Sequence, residues 1–241
     1  MGVGGRHWIT GLTGKAAVVT GGARGIGYGI ARYLVDCGMR VWIADCDHRG
    51  GEAAASLLST GNDVRFMQCD VANEAEVREL FRVVAREEGG LDAVVCNAGI
   101  SGPFGTRVEE LTLEAWNHVI AVNLTGCFLC AKYGVPLLRA RRGAMVLVGS
   151  TRAQQSEAHT EAYSASKGGV VALTHALAIS LGPAVRVNCV SPGWIDVRAE
   201  EPVAKEVEPL REKDHAQHPV GRVGTVDDVA ALTAFLLSPA A

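Results

Sequence analysis

Aromatic side chains are scarce in this chain of 241 residues, where Phe, Tyr and Trp together make up 5%. Charge is also sparse at 20%, with 23 Lys and Arg against 26 Asp and Glu, and it includes no basic block. A nucleic-acid surface needs clustered positive charge, so that class of partner is excluded. No apolar run approaches the roughly 20 residues that cross a bilayer, and no membrane partner is expected. The opening residues MGVGGRHWIT are too short and too polar for a secretory leader. Internal repeats, low-complexity tracts and interdomain linkers are missing too. The expectation is one cytoplasmic domain over 1–241, with 1–11 as an N-terminal extension.

Cysteine is present but does not read as a disulfide framework. The seven residues at 37, 46, 69, 96, 127, 130 and 189 fall within apolar or element-like runs, and an odd count fits reduced thiols buried in a core. Cys127 and Cys130 are spaced like half a zinc site. No second pair or ordered His cluster completes four ligands, so core packing is expected and no metal.

The chain is rich in hydrophobic residues, 48%, and in glycine, 29 residues. Short apolar runs at 15–20, 40–45, 64–69, 92–96, 144–150 and 185–190 read as buried strands. Between them lie helical patterns at 26–37, after Arg49, and at 74–88, 113–138 (ending near Pro136) and 160–181, with a last one at 226–237. Such alternation predicts an α/β fold, a doubly wound parallel sheet with helices on both faces. A charged segment at 198–218 reads as a substrate lid.

The first strand runs straight into Thr20-Gly21-Gly22-Ala23-Arg24-Gly25-Ile26-Gly27, where a helix begins. Glycine at 21 permits a tight turn, at 25 a close backbone approach, and at 27 close helix–strand packing. Together they present a helix N-terminus to a pyrophosphate. Asp45 ends the second strand, 18 residues after Gly27, near the spacing of an acid that binds the adenosine ribose. A carboxylate there accepts from a 2′-hydroxyl and repels a 2′-phosphate. NAD is therefore expected over NADP, although Arg24 nearby could attract that phosphate.

Tyr163 and Lys167 are four apart in a helical run and share a face. A phenol ordinarily titrates near pH ~10, and a nearby ammonium favours its phenolate. Ser150 ends the fifth strand, at the sheet edge where α/β proteins bind ligands. Its hydroxyl is placed to hold a substrate oxygen while Tyr163 exchanges the proton.

Taken with Cys96-Asn97-Ala98-Gly99 and Pro192-Gly193-Trp194-Ile195, these motifs resemble, in order and spacing, those of the short-chain dehydrogenases/reductases over roughly residues 12–239. The resemblance implies a Rossmann fold of strand order 3-2-1-4-5-6 and an enzyme moving hydride between a nicotinamide cofactor and a secondary alcohol or ketone. It implies Ser150, Tyr163 and Lys167 as catalytic residues, with Asn123 holding a water of the proton relay. It also implies cofactor contacts from Asp70, with Val71, at the adenine edge. Further contacts would come from Asn97, Ala98 and Gly99, from Tyr163 and Lys167 at the nicotinamide ribose, and from Pro192, Gly193, Ile195 and Val197. Homodimers or homotetramers through 113–138 and 160–181 are expected, from apolar residues on more than one helix face: Ala121, Gly126, Cys130, Ala172, Leu173 and Ala176.

This chain departs from the family pattern in three places. Cys96 stands where Asn is usual. Val197 stands where a Thr often binds the carboxamide. The usual seventh strand is missing, so a C-terminal segment of roughly 10–20 residues is expected beyond Ala241. The substrate is the least defined element. Arg152, Gln154, Gln155, His159 and Trp194 read as lining residues for a sugar, polyol or oxo acid, or as ordinary loop residues facing water. Two alternatives stand beside this reading: a 3-oxoacyl thioester reductase using NADPH, and a non-catalytic NAD-binding sensor or scaffold.

Overall fold

The computed structural model describes residues 9–59, 64–198 and 208–241. Six parallel strands form the main sheet: β1 (Ala16–Thr20), β2 (Arg40–Asp45), β3 (Val64–Gln68), β4 (Ala93–Cys96), β5 (Ala144–Val148) and β6 (Arg186–Val190). Their order is β3-β2-β1-β4-β5-β6, as expected, and among the described residues no further strand joins this sheet. The strands read as continuous apolar runs because both faces are covered. Ala16 and Val18 enter one core cluster while Ala17 and Val19 enter the other, and β4 and β5 alternate in the same way.

The helices are α1 (Gly25–Asp36), α2 (His48–Leu58), α3 (Glu74–Glu88), α4 (Leu113–Ile120), α5 (Gly126–Arg141), α6 (Glu161–Leu181), α7 (Glu212–His215) and α8 (Val226–Leu237). The core on one face draws on α1, α2 and α8, and the core on the other on α3, α5 and α6. Ile9 packs against the first of these and Leu12 is buried within it. Residues 9–11 are therefore part of the body of the fold, and residues 1–8 of the expected extension lie outside the described residues.

Three sequence expectations need correction. The helix expected to end near Pro136 runs through it to Arg141. Proline removes one backbone donor, but fully buried Leu138 rewards the extra turn. The run 113–138 is not one regular helix either, because Ala121–Thr125 forms a π-helical turn between α4 and α5. Finally, Cys46 is exposed, while Cys37, Cys69, Cys96, Cys127 and Cys130 are buried; all seven thiols are free. The combined run Leu113–Arg141 is long and apolar enough to cross a membrane by length and composition alone, against the expectation from sequence. Its buried residues, Leu129, Cys130 and Val135 among them, belong to the core against the sheet.

A small second sheet pairs β7 (Ile195–Asp196) with β8 (Gly224–Thr225). The expected lid, 198–218, falls partly outside the described residues. Of its described part, Arg198 bridges Asp196 and the Glu208 carbonyl, and His218 sets its ring 6.0 Å from that of Trp194.

Candidate active site

The C-terminal ends of β1, β4, β5 and β6 form the edge where the sequence-predicted residues meet. Behind β1, Gly21 and Gly25 adopt left-handed backbone angles, φ +63° and +59°, which side chains disfavour. A Cβ on Gly27 would lie 2.0 Å from the Gly21 carbonyl oxygen and 2.4 Å from Asn97 Nδ2. The turn and the first helical residues thus pack with no room for a side chain. Side chains of Asp47, Asn73, Thr112 and Thr225 cap α2, α3, α4 and α8, whereas Arg24 at the N-cap of α1 makes no such bond. The first turn of α1 thus takes no side-chain cap at its N-cap residue, which fits a helix start that receives a dinucleotide's pyrophosphate.

Asp45, at the end of β2, lies against the glycine turn. Its Oδ2 accepts from Ala23 N at 3.0 Å and its Oδ1 from Asp47 N at 2.9 Å, so the carboxylate is fixed against the glycine turn. Arg24 is exposed. Asp70 is exposed too and accepts from Ala72 N at 2.9 Å. Val71 is buried, wedged against α5 where a Cβ on Gly126 would meet it at 2.8 Å, so its side chain serves packing.

Asn97 bridges two strands. Its Nδ2 donates to the carbonyls of Thr20 and Gly21, each at 3.0 Å, which ties the end of β4 to the glycine turn. Ala98 N donates to Thr20 Oγ1 at 3.1 Å. A Cβ on Gly99 would sit 3.2 Å from Asn123 Oδ1 and 3.5 Å from Lys167 Nζ, so this glycine lets both polar groups approach the chain.

The π-helical turn carries Asn123, which is fully buried. Its Oδ1 accepts from Ile100 N at 2.8 Å, and its Nδ2 donates to the Ile100 carbonyl at 2.9 Å and to Ser166 Oγ at 3.0 Å. The side chain therefore pins the loop after β4 to α6. Its main-chain carbonyl accepts from Cys127 Sγ at 3.2 Å. That division of labour is invisible in a sequence, where π-turns carry no periodic signature.

Ser150 follows β5 and is 8% exposed. Its Oγ accepts from Arg152 N at 3.1 Å, leaving its own proton to donate elsewhere. Tyr163 and Lys167 share a face of α6, as their spacing predicts. Lys167 is 5% exposed; its Nζ donates to the Val148 carbonyl at 2.7 Å and lies 5.8 Å from the centre of the Tyr163 ring. Burial pushes its ammonium below the ordinary lysine range, while the Cys127 and Cys189 thiols pull it back up.

The segment after β6 reaches back over the turn. The Pro192 carbonyl accepts from Thr151 N at 3.0 Å, and Gly193 faces Thr151. Ile195 lies in β7, and Val197 comes within 3.7 Å of a Cβ placed on Gly25. Of the residues proposed to line a substrate, Arg152 is engaged by Glu157 and the Gln155 carbonyl, and Gln154, Gln155 and His159 are exposed. Two aromatic residues escaped the sequence reading. His218 sits against Trp194, and the Phe104 ring lies 6.3 Å from that of Tyr163 at a 58° tilt. Phe104 could have been noticed as a lone aromatic between Gly102-Pro103 and Gly105 in a chain poor in them.

Comparison with known proteins gives a consistent picture. The family described as Enoyl-(Acyl carrier protein) reductase matches residues 21–241. An uncharacterized oxidoreductase of Thermotoga maritima is 45% identical over 93% of this chain and 89% of its own length. The L-fucose dehydrogenase of Oryctolagus cuniculus is 39% identical over 94% of the chain and 80% of its own. The crystal structure of a 3-ketoacyl-(acyl-carrier-protein) reductase from Brucella melitensis complexed with NADH superposes with a TM-score of 0.84. It has 30% identity and covers 95% of this chain and 93% of that one.

Proposed function

We propose that this chain, which belongs to the short-chain dehydrogenase/reductase family of NAD(P)-dependent oxidoreductases, uses NAD to oxidise a secondary alcohol through Ser150, Tyr163 and Lys167. Its reaction class is hydride transfer between the nicotinamide cofactor and a CH–OH or C=O carbon. The observation that carries the assignment of residues is Lys167, a cation held 5% exposed beside the Tyr163 ring. Burying an ammonium is costly, so its retention points to the effect its charge has on neighbouring groups.

The bound cofactor supplies the hydride acceptor at its nicotinamide ring. Gly21, Gly25, Ile26 and Gly27 would hold the pyrophosphate, Asp45 the adenosine ribose, and Asp70 with the Val71 main chain the adenine edge. Asn97, Ala98, Gly99, Pro192, Gly193, Ile195 and Val197 would line the nicotinamide half, with Lys167 on its ribose. Ser150 Oγ donates to the substrate oxygen and fixes it. Tyr163 Oη accepts the hydroxyl proton as the C–H bond is lost, and the Lys167 charge stabilises the negative charge there. The Asn123 carbonyl holds the water through which that proton leaves.

Asp45 supports NAD over NADP, because a 2′-phosphate would meet a carboxylate already locked in place by Ala23 N and Asp47 N. With turnover followed by nicotinamide absorbance over a panel of secondary alcohols, kcat/KM should favour NAD by roughly 10- to 100-fold, or ~1.4–2.8 kcal/mol. Asp45→Ser should narrow or reverse that ratio. Equal use of both cofactors by the unaltered enzyme would count against NAD and for the rival reading, a 3-oxoacyl thioester reductase working with NADPH.

We also propose a homodimer, or a tetramer built on it, through α4, α5 and α6. Gly126 and Cys130, once expected on this surface, are buried toward the sheet; the outward face carries Leu113, Phe128, Ala172, Ala176 and Ile179. Leu113 and Ile179 are 72% and 74% exposed in the single chain, which a partner would cover. Light scattering at micromolar concentration should give at least twice the chain mass, and monomer alone would refute this. Seven free thiols support a reducing compartment, the cytoplasm.

A further inference from the structure

We infer that Phe104 determines substrate specificity, and that the substrate is a cyclic secondary alcohol whose saturated ring packs on the Phe104 face while its hydroxyl reaches Tyr163. This rests on Tyr163 being the proton-transfer residue. The Phe104 ring is 59% exposed although its centre is only 6.3 Å from that of Tyr163. A large apolar surface left in water beside the Tyr163 ring gains most by being covered when substrate arrives. The tilt of 58° keeps the two rings from stacking flat, so they form a wedge rather than a closed pair.

The cation nearby is already engaged. Arg152, the one cation among the expected lining residues, is paired with Glu157 and also donates to the Gln155 carbonyl at 3.0 Å. An anionic substrate group at Arg152 would have to share its charge with the Glu157 carboxylate. Contact with the substrate's carbon skeleton needs no such sharing.

The start of the loop that carries Phe104 is held. The loop leaves Ile100, whose N–H and carbonyl are both held by the Asn123 side chain at 2.8 and 2.9 Å. The wall and the proposed proton relay therefore share one support. A ring alcohol presents a broad C–H face to an aromatic surface, whereas a three-carbon alcohol covers little of it. Discrimination should follow the area buried on Phe104.

The experiment compares cyclohexanol with 2-propanol, using NAD and the full chain, in the unaltered enzyme and in Phe104→Ala, Phe104→Tyr and Tyr163→Phe. The unaltered enzyme should favour cyclohexanol by about 10-fold or more in kcat/KM. Phe104→Ala should remove most of that preference by raising KM for cyclohexanol far more than KM for 2-propanol. Phe104→Tyr, which keeps the ring, should preserve the preference. An exposed side chain is not needed for folding, so these variants remain interpretable. Equal losses on both alcohols, no loss on either, or failure of the unaltered enzyme to turn over cyclohexanol would each overturn the inference. If Tyr163→Phe stayed active, the catalytic assignment itself would fall. If Tyr163→Phe were inactive and Phe104→Ala kept the cyclohexanol preference, only the role of Phe104 would.

Discussion

Tyr163→Phe is expected to lower kcat by about 10²–10⁴, the usual worth of a positioned acid–base group, while NAD binds nearly as before. The substitution removes one hydroxyl and keeps the ring, so contacts with Phe104 and the Lys167 ammonium persist. Lys167→Ala should behave differently. Its Nζ donates to the Val148 carbonyl at the end of β5 and adjoins Gly99. Losing it should lower turnover and weaken cofactor binding together. Single-turnover rates with NAD, paired with a direct titration of cofactor affinity, separate the two cases. Near-normal turnover by Tyr163→Phe on a good substrate would show that another group moves the proton.

Gly27→Ala is expected to cost cofactor affinity by more than about 100-fold and to lower stability by ~1–3 kcal/mol, the range for overpacking a tight site. The added methyl would lie 2.0 Å from the Gly21 carbonyl oxygen, a backbone atom, and 2.4 Å from Asn97 Nδ2. Neither can retreat cheaply, because Asn97 is bonded to the Thr20 and Gly21 carbonyls. Relief requires α1 to move off the turn, carrying away the uncapped amides that would meet the pyrophosphate. Gly168→Ala is the control, since a Cβ there meets nothing within 4 Å and helical Ala is favoured over Gly. Thermal melts with and without NAD should show a lowered Tm and little ligand-induced rise for Gly27→Ala. The control should match or exceed the parent. A Gly27→Ala protein binding NAD with unchanged affinity would refute the close-packing account.

The sheet and the groove along its edge were legible in the residues alone. Runs such as Ala16–Thr20 and Ala144–Val148 are apolar at every position because both faces are buried, and that pattern survives in one dimension. Glycines 21, 25 and 27 and the Tyr163/Lys167 pair are also local, set by turn geometry and helical spacing, while Asp45 follows from the pairing of β2 beside β1. What could not be read were contacts that depend on which distant segments meet. Pro136 argues locally for a helix end, yet burial of Leu138 against the sheet carries the helix on to Arg141. Asn123 reads as one more polar residue in a helix, and only the π-turn and the arrival of Ile100 and Ser166 decide what its side chain holds. Arg152 is a plausible anion ligand until Glu157 folds back onto it. Phe104 becomes informative only beside Tyr163, 59 positions away in the chain. Backbone periodicity and turn chemistry are encoded within a few residues. The partners of a buried or half-buried side chain are set by packing between segments far apart in sequence, and only the folded structure decides them.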